Sequence, residues 1–260
     1  MVRPLQMISL LLITTIAGSA LFSSADAADK SLILYLPLDE GTGEVVKDTS
    51  SYGNNGQIVG DAKWVDGEIG KCLDLASGTY VEIPEISVYD VTDAVSLMAW
   101  INTSSVTTWA RIIDRSQWQD NGFDLALSQV THAPLFEFFV NNTTSQALAT
   151  TPVDDGEWHF VAGTFGNKTL KIYVDSVMEK EVNSTGNVDI KPNDLPIRLG
   201  CEANPAKGQQ YVGMIDEIAI FNRELSASEI KNIFEKGIVA ATSPVAFKGK
   251  MAVMWGALKK

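Results

Sequence analysis

The sequence has few of the residues that hydrolytic and metal-activated active sites need. Its 260 residues include two histidines and two cysteines, and 20 lysines and arginines stand against 32 aspartates and glutamates. The formal charge of −12 argues against a nucleic-acid ligand, because phosphates would be repelled. His132 and His159 are isolated, and no Gly-x-Ser-x-Gly turn precedes a helix, so neither serine-type hydrolysis nor a cluster of histidine metal ligands is indicated.

Long apolar runs are also scarce, and the one present lies at the N-terminus. Ile8–Phe22 follows Arg3 and precedes Ala25-Asp26-Ala27, which has the small-x-small form that signal peptidase recognises. The pattern predicts a signal peptide over residues 1–27 and a secreted or extracellular mature chain that begins at Ala28. An uncleaved anchor is the alternative, although the run is shorter than the roughly 20 residues that span a bilayer. No later segment is apolar enough to cross a membrane, so no span is expected in the mature chain.

Short segments of strand character recur along the mature chain, with almost no helical periodicity. This pattern is typical of a two-sheet sandwich, and there is no sign of a second domain or an internal repeat. The predicted strands span residues 31–39, 71–76, 80–84, 95–102, 111–116, 122–128, 135–140, 158–165, 170–175 and 197–201.

The stretch Tyr211–Ile230, YVGMIDEIAIFNRELSASEI, reads as a strand that runs into a short helix. Ser226 with Glu229 three residues later predicts a capping box at the start of that helix. The stretch matches the pattern G-x-I-D-E-[VI]-x-[IVF]-[YF]-N-R-x-L-[ST], and on it the chain resembles the bacterial laminin G-like (concanavalin A-like) lectin-glucanase jelly-roll domains. The resemblance covers roughly residues 31–237. It implies an all-β, two-sheet antiparallel jelly-roll sandwich with one short C-terminal helix, over residues 28–237.

Residues 238–260 have no counterpart in that family. From Ala240 onward the segment holds four lysines and no acidic residue. We expect this basic C-terminal tail to pack as an extra strand or a loose arm; a sorting or docking tail and a membrane-surface attachment are the alternatives.

The resemblance also implies a calcium ion between the first acidic loop and the closing strand. The matching positions are Asp39, Asn54 and Asp216, and Asp48 is a further candidate. Calcium takes six to eight oxygen ligands, which an acidic chain with a Gly/Asn-rich loop at residues 40–57 offers. Its role is expected to be structural, because it would fix both ends of the domain. The alternative is that Asp39 and Asp216 only cap turns and pair with basic residues.

Cys72 and Cys201 are the only cysteines, and both lie in predicted strands. In an oxidising compartment two cysteines favour a disulfide, which across so long a loop would add roughly 4–5 kcal/mol if unstrained. Two separate buried thiols are the equal alternative.

Lectin-like sandwiches bind sugars through exposed aromatic rings beside polar side chains. The polar segment 103–121 carries two tryptophans, and Asn141 could form an opposite rim. The predicted ligand contacts are Trp109, Trp118, Asp120, Asn121 and Asn141. Loop tryptophans that merely cover the edge of the core are the alternative.

No pair of carboxylates has the strand spacing, Glu-x-Asp-x-x-Glu or Glu-x-Asp-x-Glu, that glycosidases of this fold carry. Adjacent Asp216 and Glu217 are expected to point to opposite faces of a strand. The sequence therefore predicts a secreted non-catalytic binding module for carbohydrate or adhesion. The alternatives are a protein-protein interaction module and a cryptic glycoside hydrolase that uses Asp124 and Glu137.

Overall fold

Two eight-stranded antiparallel sheets face each other across one hydrophobic core in the computed structural model. The structure describes residues 29–117, 121–140, 143–184, 193–204 and 208–242. The predicted signal peptide, most of the predicted tail, and Trp118, Asp120 and Asn141 lie outside these residues. The all-β sandwich predicted from the sequence is confirmed.

Sheet A is built on the two strands that carry the closing motif and the most apolar segment. Its strands are β1 (Leu32–Leu36), β4 (Lys63–Asp66), β5 (Lys71–Leu75), β7 (Val95–Asn102), β12 (Trp158–Gly166), β13 (Thr169–Val174), β14 (Val177–Asn183) and β16 (Gly213–Phe221). They run in the order β14-β13-β12-β7-β16-β5-β4, and β1 pairs with β16.

Sheet B lies on the other side of the core. Its strands are β2 (Val45–Val46), β3 (Gly56–Val59), β6 (Tyr80–Ile83), β8 (Ala110–Gln117), β9 (Asn121–Leu127), β10 (Pro134–Val140), β11 (Thr143–Leu148) and β15 (Ile197–Leu199). Their order is β11-β10-β9-β8-β15-β6-β3-β2. A short 3-10 turn, Ser87–Tyr89, connects β6 to β7.

Alternate residues of the strands supply the core between the sheets. In β7, Leu97, Ala99 and Ile101 belong to this core, whereas Met98 and Trp100 point to the outer face of sheet A. A second apolar cluster forms on that outer face, because a C-terminal helix covers it. Both faces of β7 are therefore buried, as its uninterrupted apolar sequence predicts.

The covering helix is α1 (Ala227–Lys236), which packs Ile230 and Ile233 onto the outer face of sheet A. Ser226 and Glu229 form the predicted capping box at its start. A second helical segment, α2 (Ile238–Thr242), follows directly and buries Ile238 against the same cluster. The first residues assigned to the tail are thus helical and packed on the domain, where an extra strand or a loose arm was expected. Neither helix in the described ranges is long and apolar enough to cross a membrane.

Candidate functional site

A β-bulge in β16 brings two acidic side chains of the closing motif together. Ile215 and Ile218 both belong to the core between the sheets, so two residues, Asp216 and Glu217, stand where regular alternation allows one. The register with β7 shifts at this point, and Glu217 adopts φ 52°. The expectation that the two carboxylates point to opposite faces of a regular strand is therefore wrong. The Tyr35 hydroxyl donates a hydrogen bond to Glu217 Oε2 at 2.8 Å.

The loop between β4 and β5 is held by two carboxylates from distant parts of the chain. Asp216 Oδ2 accepts a hydrogen bond from Ile69 N–H at 3.0 Å, and Asp39 Oδ1 accepts one from Lys71 N–H at 2.8 Å. Gly70 has φ +66°, and a Cβ there would overlap Asp39 Oδ1. A bare backbone at this position lets the loop fit against the carboxylate.

Negative charge accumulates in this cluster. Burial, together with the charges of Glu217 and Asp39, raises the pKa of Asp216 to about 8, against hydrogen bonds from the backbone of Ile69 and Glu217. Burial and the Asp39 charge also raise the pKa of Glu217 to about 7. Asp216 Oδ1 is buried and has no hydrogen-bond partner. A hard cation is the kind of group that would satisfy such an oxygen.

Asp39 and Asp216 are suitable as calcium ligands, but they do not form a complete set on their own. The described residues contain no group of three or more histidine, cysteine, aspartate or glutamate side chains arranged to hold a metal ion. Two carboxylates would therefore need backbone carbonyls of the neighbouring loops to reach the oxygen number that calcium takes. The 67–70 loop, which lies against both carboxylates, is the nearest source of such carbonyls.

Asp48 and Asn54, the other predicted ligands, belong to a separate hydrogen-bond network. Asp48 is buried, and its carboxylate accepts four hydrogen bonds, from Tyr35 N–H, Ser50 N–H, Ser50 Oγ–H and Asn54 N–H. The side chain of Asn54 lies beside the buried Tyr89. Asp48 thus organises its own loop and anchors it to β1, and its oxygens are already occupied.

The predicted sugar contacts are divided by strand β8. The polar segment 103–121 is not one loop, because residues 110–117 form an eight-residue strand, in agreement with the strand predicted at 111–116. Trp109 directly precedes this strand, whose rise of about 3.3 Å per residue separates Ala110 from Gln117 by roughly 23 Å. Trp118 lies outside the described residues. Trp109 itself is half-buried.

A further predicted contact, Asn121, lies at the start of β9. Asn121 pairs with Gln117 of β8 and with Val140 of β10, and its side chain is buried in the hairpin. Trp118, Asp120 and Asn141 lie outside the described residues. Of the predicted contacts, the structure therefore describes Trp109 and Asn121, which lie at opposite ends of β8.

Cys72 and Cys201 are buried thiols and form no disulfide. Cys72 lies on β5 in sheet A, whereas Cys201 follows β15 in sheet B. Each sulfur contacts a backbone carbonyl at 3.6 Å, that of Asp66 and that of Glu202 respectively. Of the two alternatives left by the sequence, the structure has the separate thiols.

Arg111 connects Asp124 and Glu137 on the outer face of sheet B. The two acidic residues are direct neighbours in the register of β9 and β10. Arg111 Nη1 lies 2.7 Å from Asp124 Oδ1 and 3.3 Å from Glu137 Oε2. The two carboxylate oxygens are therefore no farther apart than the sum of these distances, which brings the two acids close together without fixing their separation at a glycosidase value. The guanidinium between them and the complete burial of Asp124 distinguish this pair from two open catalytic acids.

The two histidines are held by acidic neighbours at the ends of strands. His132 Nδ1 lies 2.6 Å from Asp154 Oδ2, and His159 lies between Asp155 and Asp175 at 3.2 and 2.9 Å. Burial lowers the pKa of His159, but hydrogen bonds to Asp175 and Asp155 outweigh this effect and raise it. His159 thus ties β12 to the turn before it, at Asp155, and to the turn after β13, at Asp175.

A family model decides the classification of this chain. The model of the concanavalin A-like lectin/glucanases superfamily (Laminin_G_3) matches residues 75–231. The chain belongs to this superfamily. No protein with a curated description matches it.

Several solved structures share the architecture of this chain. The binding domain of Paraclostridial Mosquitocidal Protein 1 superposes with a TM-score of 0.65 at 15% identity, over 78% of this chain and 52% of that one. Domain 4 of AbnA, a GH43 extracellular arabinanase from Geobacillus stearothermophilus solved with arabinotriose, gives 0.63 at 17% identity, over 78% of this chain and 98% of that one. A structure of botulinum neurotoxin type C, a toxin whose cell entry depends on interaction with two ganglioside molecules, superposes with a TM-score of 0.63 at 17% identity. The match covers 80% of this chain and 51% of that one. This chain spans about half the length of the toxin chains and nearly all of domain 4. At these identities the likeness shows the fold alone.

Sequence reasoning about this concanavalin A-like domain missed Arg111 and the role of Glu217. A signal for Glu217 exists in the sequence, because Ile-Asp-Glu-Ile places two polar residues between two core residues of a strand. Arg111 has no comparable signal. Its importance depends on the register between β8, β9 and β10, which single-sequence patterns do not give.

Proposed function

We propose that this chain is a secreted, non-catalytic binding module for carbohydrate, stabilised by a calcium ion. The main support is the likeness to domain 4 of the arabinanase, since that domain was solved with arabinotriose and is almost completely covered by the match. A domain of the same fold and extent therefore suffices to hold a saccharide. Secretion follows from the predicted signal peptide at residues 1–27.

The sugar is proposed to bind at sheet B. The proposed contacts are Trp118, Asp120, Asn121 and Asn141, of which Asn121 is described and pairs with Gln117 of β8 and Val140 of β10. One aromatic ring beside several amide and carboxylate groups is the combination that binds a pyranose face and its hydroxyls. Trp109 is excluded from this set by its place at the other end of β8.

Calcium is proposed to lie with Asp39 and Asp216. The unpartnered, buried Asp216 Oδ1 and the excess of negative charge around it support this assignment. The ion would supply fixed positive charge, and so would tie the loop after β1 to the closing strand β16. The chain's own residues already connect these segments through the hydrogen bonds of Asp39 and Asp216 to the 67–71 loop.

Catalysis is disfavoured by the way Arg111 holds the two acids nearest to a glycosidase pair. Both Asp124 and Glu137 contact the same guanidinium nitrogen, and Glu137 Oε1 also accepts a hydrogen bond from Gln146 at 2.7 Å. General acid catalysis needs a carboxyl that can give a proton to the leaving oxygen. Hydrolysis of arabino- and gluco-oligosaccharides by the wild type, lost in both Asp124→Asn and Glu137→Gln, would contradict a purely binding role.

The function is tested by exposing the mature chain, residues 28–260, to a glycan array in calcium and in chelator. Reproducible binding to one glycan class is the expected result. The absence of binding from a sample that shows a β-rich circular dichroism spectrum and a cooperative melt would overturn the carbohydrate function.

A protein ligand is the second candidate, because one structural neighbour is a botulinum neurotoxin DC binding domain in complex with rat synaptotagmin II. That complex shows that this fold also supports protein recognition in a toxin. A negative glycan array together with saturable binding to a purified extracellular protein would favour this candidate over the first.

A further inference from the structure

Both histidines of the chain contact the loop that joins the two sheets. Residues 149–157, which we call the crossover loop, connect β11 of sheet B to β12 of sheet A. His132, in the β9–β10 turn of sheet B, places Nδ1 2.6 Å from Asp154 Oδ2. His159, on β12, places Nε2 3.2 Å from Asp155 Oδ1. Two consecutive aspartates of one loop therefore bind the two imidazoles of the chain, each from a different sheet.

The two histidines differ in the protonation state that their contacts require. His132 contacts its aspartate through Nδ1, and a neutral imidazole can donate from that nitrogen. His159 faces carboxylates with both ring nitrogens, because Nδ1 also lies 2.9 Å from Asp175 Oδ2. An ionised carboxylate only accepts hydrogen bonds, and a neutral imidazole has a single N–H. Both contacts of His159 are therefore hydrogen bonds only when its ring carries two N–H groups and a positive charge.

The charged groups around His159 favour its protonated ring. Asp155 reaches it from the crossover loop, Asp175 reaches it from the turn between β13 and β14, and the residue opposite on β7 is the apolar Ile101. Burial lowers the pKa of His159, but the hydrogen bonds and charges of Asp175 and Asp155 outweigh burial and raise it. The other acidic side chains on and beside the loop have their own positions: Asp154 contacts His132, Glu179 accepts hydrogen bonds from Thr150 and Thr151, and Glu157 is exposed.

The two halves of the crossover loop are fixed to different sheets. Val153 N–H donates a hydrogen bond to the His132 carbonyl at 3.2 Å, which attaches the first half to sheet B. Gly156 N–H donates to the carbonyl of Thr103, directly after β7, at 3.0 Å, and the Gly156 carbonyl accepts from Asn102 Nδ2 at 2.9 Å. These two bonds attach the second half to sheet A.

Asp155 is the less firmly held of the two partners of His159. Its side chain is 58% exposed, whereas Asp175 is fixed by a further hydrogen bond from Phe160 N–H to Oδ1 at 2.9 Å. A neutral ring with a single N–H therefore keeps the contact with Asp175 and loses the one with Asp155. Since Gly156 directly follows Asp155, the loss affects the segment that attaches the loop to sheet A.

We propose that Asp155, His159 and Asp175 form a pH-sensitive clasp, which holds the crossover loop to sheet A while His159 is positively charged and loosens the segment around Gly156 when the ring becomes neutral. The clasp is independent of the proposed carbohydrate function. Because the pKa of His159 is raised in the folded chain, its stabilising effect is complete below about pH 6.5, the usual value, and is lost as the pH rises through the raised value. Toward acid, the hydrogen bond from Glu157 N–H, and with it the one from His159, lowers the pKa of Asp155, so this carboxylate stays charged at pH 5.

Amide hydrogen exchange of the mature chain, measured by NMR at about pH 5 and about pH 8 and corrected for intrinsic exchange rates, tests the clasp. The protection of Gly156 N–H should decrease by about twofold to fivefold between the two pH values, the factor that a partly exposed ion pair contributes. Val153 N–H is the internal control, because the His132 carbonyl that it contacts does not titrate. Its protection should change less, and it reports any loss of stability of the whole domain.

Two variants of the crossover loop assign the effect. Asp155→Ala should give Gly156 the low protection of the alkaline wild type at both pH values, and the titration midpoint of His159, followed by its ring nitrogen chemical shifts, should fall. Glu157→Ala removes an exposed carboxylate of the same loop and should behave as wild type in both measurements. Equal protection of Gly156 at the two pH values, an equal decrease at Val153 and Gly156, or a pH dependence that persists in Asp155→Ala would each overturn the proposal.

Discussion

Removal of calcium is the most direct test of the acidic cluster at the β16 bulge. Asp216 is fully buried, Ile69 N–H donates a hydrogen bond to its Oδ2, and its Oδ1 has no hydrogen-bond partner among the described residues. Glu217 and Asp39 place further negative charge beside it. A bound cation would neutralise this charge in the folded chain alone, so we expect a chelator to lower the melting temperature of the mature protein.

The size of the effect follows from mass action. A ligand that binds only the folded state adds RT ln(1 + [L]/Kd) to the free energy of unfolding. Calcium sites of extracellular modules have dissociation constants of about 10⁻⁴–10⁻³ M, so about 5 mM calcium contributes about 1–2.5 kcal/mol. A domain of this length changes its melting temperature by about 2–4 °C per kcal/mol. The expected difference between calcium and chelator is therefore about 2–10 °C, measurable by differential scanning calorimetry.

Two isosteric variants assign the effect to its site. Asp216→Asn should melt at the same temperature in calcium and in chelator, because it lacks the central carboxylate. Asp48→Asn is the matched control, because the Asp48 carboxylate accepts four hydrogen bonds from its own loop and β1. This variant should lose stability equally in both buffers, so the difference between its melting temperatures in calcium and in chelator should equal that of the wild type. A wild-type melt that does not change in chelator refutes the calcium site, and a calcium effect that survives in Asp216→Asn refutes its location.

Three further predictions concern the same domain. Gly70→Ala should lose more stability and more calcium response than Gly78→Ala, since both glycines have positive φ but only the Cβ at 70 would overlap a neighbour, Asp39; equal thermal shifts would contradict this reasoning. Cys72 and Cys201 should resist alkylation in the native protein, because both thiols are buried and burial raises the pKa of Cys72 to about 12. In denaturant without reductant, each should react with one maleimide. A measured mass short of two labels would indicate a disulfide. Glu229 is partly buried, but hydrogen bonds from Arg223 and Ser226 lower its pKa to about 2. The stabilising effect of the Glu229 carboxylate should be complete above about pH 4.5 and decrease as the pH drops toward 2. Chemical unfolding across this range should show that the free energy of unfolding decreases by about 1 kcal/mol or less, and this decrease should be absent in Glu229→Gln.

The elements that bury one or two full faces were predictable from the sequence. Strand β7 spans Val95–Asn102, the predicted bounds, because every residue from Val95 to Ile101 packs into one of the two apolar clusters or lies fully buried between them. Helix α1 begins where Ser226 and Glu229 predict it, since the capping box is a local interaction. By contrast, β11 and β14 were missed. Each lies at one edge of its sheet, and the exposed residues in TTSQAL and VMEKEVN leave no clear apolar alternation to detect.

The candidate sites were predictable only in part, because they depend on register and on a bulge. Asp39 and Asp216 were found through the family motif, and they do lie against the same loop. Trp109 and Trp118 were grouped because a nine-residue separation with polar flanks resembles a loop, whereas ARIIDRSQ is a strand whose outward residues are polar. Two of its three charged residues, Arg111 and Asp114, are part of the outward polar surface of sheet B and not of a loop.

The two sites lie in different sheets, and this separation makes their coupling testable. The acidic cluster is in sheet A at β16, whereas Asn121, the described member of the proposed sugar contacts, lies in sheet B. Asn121 pairs with β8 and β10, so it needs neither Asp39 nor Asp216. Chelation should therefore weaken glycan binding only to the extent that it unfolds the domain. Well below the melting temperature measured in chelator, glycan affinity should equal that in calcium. A large loss of affinity in chelator from protein that remains folded would mean that the ion acts at the ligand itself, and the separation of stability in sheet A from recognition in sheet B would have to be abandoned.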